Sequence, residues 1–241
     1  MEYSKFDIEY PMEQDLTIPF LPGSMLQVAN DAKDTGLAQK VGDEKSRIEG
    51  FLSAFGISSF WHMTHRENIS GILNRGILSN NVAHKTSNPR DISDHGVQLH
   101  REKLDPYYHR KIHEYTPLYF NIKNPMLYRR KDMQDELCLI EISVSCLEGL
   151  DFLFTDGNAA SRDTNFYNSF DKLNSLPWDV LNSRTWFDLP DGRRKRCAEI
   201  LVYPHVEPMQ IKKIYCRSED TLNSLASYNC DAVIDRTKFF M

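Results

Sequence analysis

Four side chains have the types needed to work on a sugar: an acid, Glu199, a histidine, His62, a tyrosine, Tyr119, and an arginine, Arg101. Glu199 lies in RRKRCAEILVYP (Arg193 to Pro204), where four basic residues run into an apolar strand. Side chains alternate along a strand, so Glu199, Leu201 and Tyr203 share one face and Ala198, Ile200 and Val202 the other. The second face is apolar and predicts core; Glu199 points at solvent or at a cleft. Charged strand residues are usually exposed, so the strand alone favours a solvated glutamate or a partner of Arg194 or Arg196. In FWHMTH, Phe60, His62 and Thr64 share a face opposite Trp61 and Met63. A strand histidine beside a threonine can hydrogen-bond a ribose and a carboxamide, although a lone one reads better as a satisfied core histidine. Arg101, in VQLHREKLDPYYHRK, has other arginines nearby (Arg90, Arg110), and by itself reads as a surface residue. Tyr119, in YTPLYFNIKNPMLY, is by itself more often packed core than a stacking platform.

The elements that must position these groups follow from the hydrophobic pattern. Residues 1–42 carry Pro11, Pro19 and Pro22 among mixed charges and predict an arm with short structured pieces. Residues 43–56 predict a short amphipathic helix with Asp43 as N-cap and Gly56 just beyond its end. Strands are predicted at residues 57–65, 116–122, 137–144, 150–155, 198–204 and 211–216. Helices are predicted at 66–76, 165–176 and 219–228. The polar stretch from about 80 to 113 is too long for an idle connection and is expected to be functional or mobile. The irregular order and short links predict an α+β fold with mixed or antiparallel sheets and helices to one side, not a doubly wound sheet.

Composition narrows the function. The 241 residues fit one large domain, or a domain with an appendage, and 41% hydrophobic content supplies a core. A net charge of −5 excludes a bulk electrostatic binder, so any grip on nucleic acid needs a local basic patch. The five cysteines show no C-x-x-C pair, which disfavours a zinc site or a disulfide framework and suits a reducing compartment. There is no apolar leader and no run long enough to span a membrane; a cytoplasmic protein is expected. No G-x-G-x-x-G or G-x-x-x-x-G-K-[ST] is present, and no H-E-x-x-H or G-x-S-x-G. His65 and Glu67 form an H-x-E, but no P-C-x-x-C follows, so the zinc deaminase reading fails.

A strand histidine, a strand tyrosine and a strand glutamate without phosphate-cradling glycines match the way the ADP-ribosyltransferase fold grips NAD, in a cleft between two sheets. From about Phe60 to the C-terminus the chain resembles the DarT family, DNA ADP-ribosyltransferase toxins of DarT–DarG toxin–antitoxin systems. The blocks WHMTHRENISGIL, HEYTPLYFNIKNPMLY, FTDGNAA and KRCAEILVYP carry the resemblance. Residues 1–56 fall outside it and form an N-terminal extension; its apolar positions (Phe6, Ile8, Leu16, Ile18, Phe20 and Leu21) predict that it packs on the main domain, residues 57–241.

The resemblance implies residue roles. Glu199 is the catalytic glutamate and Arg101 the catalytic arginine, while His62, Thr64, Asn68 and Tyr119 bind NAD. The span from about Asp156 to Asp191 corresponds to the family's substrate-binding loop region; Asp156 and Asn158 within it, and Arg193 and Arg194 of the basic run just after it, are the expected substrate contacts. NAD is the co-substrate, no metal is expected, and ADP-ribose goes to thymine or guanine of single-stranded DNA. RNA or protein acceptors, or a silent NAD- or nucleic-acid-binding module, are the alternatives. A DarG-like macrodomain antitoxin is the implied protein partner, and a monomer is expected. Phe166, Tyr167, Trp178 and Trp186 can stack bases, although helical spacing in FYNSFDKL favours core for most of them. For Arg193 to Arg196, phosphate binding and a solvated run stand equal.

Overall fold

The computed structural model of the chain describes residues 47–93 and 95–241. The proline-bearing arm, the Asp43 cap and the apolar positions Phe6 to Leu21 lie outside the described residues. The strands are β1 (Ser59–His65), β2 (Ile77–Leu78), β3 (Thr116–Tyr119), β4 (Leu137–Ser143), β5 (Asp151–Thr155), β6 (Phe166–Tyr167), β7 (Glu199–Tyr203), β8 (His205–Val206), β9 (Ile211–Cys216) and β10 (Ala232–Ile234). Eight of them form one mixed sheet in the order β10-β9-β4-β1-β3-β7-β5-β6, and β2 pairs with β8 in a separate two-stranded ribbon. All pairings are antiparallel except β9 with β10.

The large sheet is two four-stranded halves. β1 runs against β4 through seven register pairs and β3 against β7 through four, but β1 and β3 meet at the single pair Trp61 and Tyr119. The expected two-sheet architecture therefore appears as two halves joined at one narrow seam, and the cavity described below opens there. The main core fills one side of the sheet with Phe60, Leu118, Ile140, Ile142, Phe154, Ile200 and Val202. Smaller clusters around Leu127 and Leu139, and around Ile112 and Leu201, cover the other side. β4 sits between two partners and is buried at Leu137, Cys138, Leu139, Ile140 and Ile142, which explains its near-continuous apolar sequence.

Most predicted elements are present within a few residues of their expected ends. The helix before β1 covers residues 47–53, and Ile48 and Leu52 enter the main core, so this part of the extension belongs to the compact unit Asp43–Met241. It ends as predicted at Gly56, with Gly56 N–H donating to the Ser53 carbonyl and Ile57 N–H to that of Leu52. The helix predicted over 165–176 does not form: Phe166 and Tyr167 pair with Thr155 and Phe154 as β6, and only Phe170–Ser175 coils, as a 3₁₀ turn. Strand edges on β5 outcompete the helical spacing there. Within the polar stretch, Asn80–Thr86 and His95–Leu99 are short helices and His100–Glu102 a 3₁₀ turn.

Gly76 fixes the turn that ends the helix Ile69–Arg75 and starts β2. Its φ is 80° and ψ −176°, a conformation open almost only to glycine, and a Cβ there would lie 2.1 Å from the Val206 carbonyl oxygen. Gly76→Ala is expected to destabilise the fold by at least about 1–3 kcal/mol, read as a lower urea midpoint with an unchanged m-value.

Candidate active site

Tyr119 and Glu199 are direct cross-strand partners, at the end of β3 and the start of β7. His62 comes from β1, across the seam, and its Nδ1–H donates to the Pro117 carbonyl at 3.1 Å. A carbonyl only accepts, so this contact assigns the proton to Nδ1 and leaves Nε2 of the neutral ring as an acceptor. Burial pulls the His62 pKa below its ordinary value, and the bond to Pro117 only partly restores it. These residues line a cavity of about 1100 Å³, walled by Thr64 and Met63 from β1, by Ile77 and Leu78 from β2, and by Arg101 and Asn158 from the loops.

Glu199 is 2% exposed, and its partner is neither Arg194 nor Arg196 but Arg101. The solvated reading of the strand glutamate fails for that reason. Arg101 Nη2 donates to Oε2 at 2.9 Å and Nη1 to Oε1 at 3.3 Å, while the Ala159 backbone N–H donates to Oε1 at 2.8 Å. Arg101 is 8% exposed; burial opposes its charge, but the carboxylate outweighs burial and its pKa rises. Tyr119 is half-buried, and its hydroxyl is held protonated by burial and then by the nearby Glu199. Cys197, also on the cavity wall, has its thiol pushed up to about 12 by burial and then by Glu199.

The loop that follows β5 supplies the Ala159 N–H, and it is fastened at several points. Thr155 Oγ accepts the Glu199 N–H at 2.8 Å and donates to the Gly157 carbonyl at 2.7 Å. Arg194 Nη1 donates to Asp156 at 2.7 Å and to Thr164 at 3.1 Å, and its Nε donates to Asp191 at 2.6 Å. A Cβ on Gly157 would fall 2.5 Å from Arg194 Nη1, so the close approach of that arginine needs glycine. Asn158 caps the same loop by accepting the Ala160 N–H through Oδ1, and Lys103 Nζ reaches the Ser161 carbonyl at 2.6 Å.

The expected site residues thus separate by role. His62, Thr64, Tyr119, Arg101 and Glu199 converge on the cavity. Asn68 also lines it, but both of its amide hydrogens are taken, by Thr64 Oγ (2.9 Å) and the Arg90 carbonyl (3.0 Å), while its Oδ1 accepts the Arg90 N–H. It fixes the wall around residue 90. Asp156 and Arg194 pair with each other and build the loop rather than present free charge. Of the basic run, Arg193 is exposed and Arg196 is buried, giving its N–H groups to the carbonyls of Lys123, Val180, Leu181 and Ser183. The phosphate-patch reading therefore fails for Arg196. The Ala159 N–H had no signal in the sequence, since every residue but proline carries one. Trp178 and Trp186 are packed, with Trp178 Nε1–H bonded to the Leu173 carbonyl.

A sheet parted at one seam, with a histidine on one bank, a tyrosine and a buried glutamate on the other and no phosphate-binding glycine loop, defines an ADP-ribosyltransferase-like fold. A family model described as "ssDNA thymidine ADP-ribosyltransferase, DarT" matches residues 61–238, and the chain belongs to that family. A DNA ADP-ribosyl transferase–DNA ADP-ribosyl glycohydrolase fusion protein of Thermosipho africanus is 30% identical over 75% of this chain, which spans about half (49%) of that relative's length. A DNA ADP-ribosyl transferase of Thermus sp. is 31% identical over 59% of this chain and 73% of its own. The Thermosipho africanus DarTG structure in complex with ADP-ribose superposes with a TM-score of 0.68 at 28% identity, covering 76% of this chain and 51% of that one. Thermus sp. 2.9 DarT in complex with ADP-ribosylated ssDNA gives the same TM-score, 0.68, at 24% identity, over 77% of this chain and 97% of that one.

The depressed His62 pKa sets a pH signature. Below the ordinary value of 6.5 the unfolded chain binds a proton that the folded site resists, so stability is lost as pH falls from 6.5 toward the folded value. Denaturant titrations at pH 7.5 and 5.5 are expected to show that decline in the wild type and a smaller one in His62→Asn.

Proposed function

We propose that this protein transfers ADP-ribose from NAD to a base of single-stranded DNA and releases nicotinamide, and that thymine is the acceptor. The observation that carries the reading is the buried Arg101–Glu199 pair beside Tyr119 in a cavity of dinucleotide size. The donor set fits NAD: an imidazole Nε2 and a hydroxyl from β1, an aromatic ring and a carboxylate across the seam, and an arginine. NAD when bound supplies a ribose carbon whose bond to nicotinamide breaks with oxocarbenium character. His62 Nε2 and the Thr64 hydroxyl bind its polar groups, and the ring of Tyr119 packs on the nicotinamide. The Glu199 carboxylate accepts from ribose hydroxyls and stabilises developing positive charge. It then takes the proton from the acceptor nitrogen, help worth ~10²–10⁴-fold. Arg101 holds the carboxylate in register through two parallel bonds, a fork that lysine lacks. Asn158 and Arg193 stand on the acceptor side.

The description of the matched family names single-stranded DNA and thymidine, and that description supports both choices. The Thermosipho relative is a fusion with a DNA ADP-ribosyl glycohydrolase, which supports a DarG-like macrodomain antitoxin as partner and a toxin role for this protein. No metal enters the proposed chemistry. A monomer in the cytoplasm suffices for it; among the described residues no helix is long and apolar enough to cross a membrane.

Incubation with NAD and thymidine-containing single-stranded oligonucleotides is expected to give a product heavier by one ADP-ribose, with matching nicotinamide release. Glu199→Gln should lower the rate on the order of 10²–10⁴-fold, and Arg101→Lys should fall between the two. Oligonucleotides left unmodified by the wild type, or equal rates for Glu199→Gln, would discard the reading.

A further inference from the structure

The cavity has two unlike walls. On one, residues 75–93 present Arg75, Asn80 and His84 but no Phe, Tyr or Trp. On the other, Tyr128 and Phe187 stand at the mouth, 41% and 52% exposed. Solvent-facing rings of this size, side by side at a cavity mouth, are unusual and need an explanation.

The two rings are held rigidly. Phe187 stacks on the buried Trp186 (centroids 4.8 Å apart, 30° between planes) and meets Tyr128 edge to face (5.6 Å, 74°). Phe240 supports Tyr128 from another side at 5.3 Å and 89°. Arg196 lies 5.6 Å from the Trp186 ring centroid, and its hydrogen bonds to the carbonyls of Val180, Leu181 and Ser183 fix the segment that carries Trp186 and Phe187. The aromatics are therefore set before any ligand arrives, which lowers the ordering cost of binding.

Lysines stand beside these rings in an acidic protein, although Lys123 also faces Asp235. Lys131 Nζ is 5.8 Å from the Tyr128 ring centroid and Lys123 Nζ is 5.6 Å from that of Phe240. Arg193, which also lines the cavity, is exposed, and its side chain makes no hydrogen bond or ion pair among the described residues. The exposed Asp188 is the opposing charge next in sequence, while Asp191 is paired with Arg194. Flat rings with cations spaced around them suit a strand of alternating bases and phosphates.

We propose that Phe187, backed by Tyr128, is a stacking shelf for the nucleobase that neighbours the acceptor base, with Arg193 and Lys131 gripping the adjoining phosphates. The shelf rests on the transferase reading above and extends it: it places the neighbouring nucleotide on the wall away from residues 75–93, outside the space left for NAD.

The test measures binding of a fluorescein-labelled thymidine-containing single-stranded oligonucleotide, and separately of NAD, to the full chain. Phe187→Ala and Phe187→Leu should weaken oligonucleotide binding about 5- to 150-fold, with the loss falling on DNA rather than on NAD. Phe187→Trp, which restores a ring, should recover it, and replacing the bases beside thymine with abasic sites should erase the difference between wild type and Phe187→Ala. Equal oligonucleotide affinity for wild type and Phe187→Ala overturns the shelf, as does an equal loss for NAD. If the wild type fails to modify DNA yet binds it in a Phe187-dependent way, the transferase reading falls and the shelf stands. If it modifies DNA and Phe187→Ala does so with an unchanged KM for the oligonucleotide, the shelf falls and the transferase reading stands.

Discussion

The contact on which the site depends is the paired set of hydrogen bonds between Arg101 and Glu199, made out of water by residues 98 apart in the chain. Taking both charges out of solvent is costly, and their attraction offsets that cost only when geometry and extra hydrogen bonds are good. Here the carboxylate also receives the Ala159 N–H, so three donors converge on it. Removing any of them leaves a buried acid underpaired. The 3₁₀ turn His100–Glu102 has little of its own to hold it: Leu99 beside it is 76% exposed. Its anchors include the carboxylate of Glu199, the Lys103 bond to Ser161, the Lys111 bond to Glu102, and His113, which bridges Gln98 (2.7 Å) and Glu102 (2.8 Å) on either side of Arg101. The ion pair therefore joins two loops to the head of β7, and the cavity takes its shape from that junction.

The seam between β1 and β3 is the second constraint, and Pro117 accounts for it. Proline has no N–H for a ladder, so it is tolerated in a strand only where one edge is unpaired. β3 is interior in strand order, yet it contacts β1 at one register pair. The Pro117 carbonyl is satisfied by the His62 ring instead of by a β1 backbone amide. One residue thus opens the sheet and supplies the acceptor that orients the histidine in the opening.

These causes decide what the sequence disclosed. Strands with long apolar runs, such as β4, are legible because burial on both faces demands them. β3 was legible as a strand, but that Pro117 parts it from β1 shows only in the pairing. Two-residue strands such as β2 and β8 have no periodicity to read, and β6 was masked by spacing that fits a helix equally well. Within the site, His62 and Glu199 were legible as candidates, but local pattern favoured a core histidine and a solvated acid. Their pairing across 55 and 98 residues is a tertiary fact that no window of sequence contains. Backbone donors such as the Ala159 N–H leave no trace in residue type at all.

The basic run shows why composition misleads about phosphate contacts. Arg193 to Arg196 fall in one helical stretch, Gly192–Arg196, where successive side chains are turned by about 100°. Four consecutive cations in that geometry cannot face one ligand. Arg194 turns to Asp156 and Asp191, Arg196 turns inward to backbone carbonyls, and Arg193 alone of these three arginines is exposed, lining the cavity. Two of the four cations are thus used to build the loop that brings Ala159 to Glu199 and the segment that carries Trp186. A protein with a net charge of −5 that grips a polyanion must then gather its cations from separate elements. Lys131 stands beside the Tyr128 ring and Lys123 beside that of Phe240, from positions some 60 to 70 residues before Arg193 in the chain. Such a group is dispersed in sequence and is brought together only by the fold.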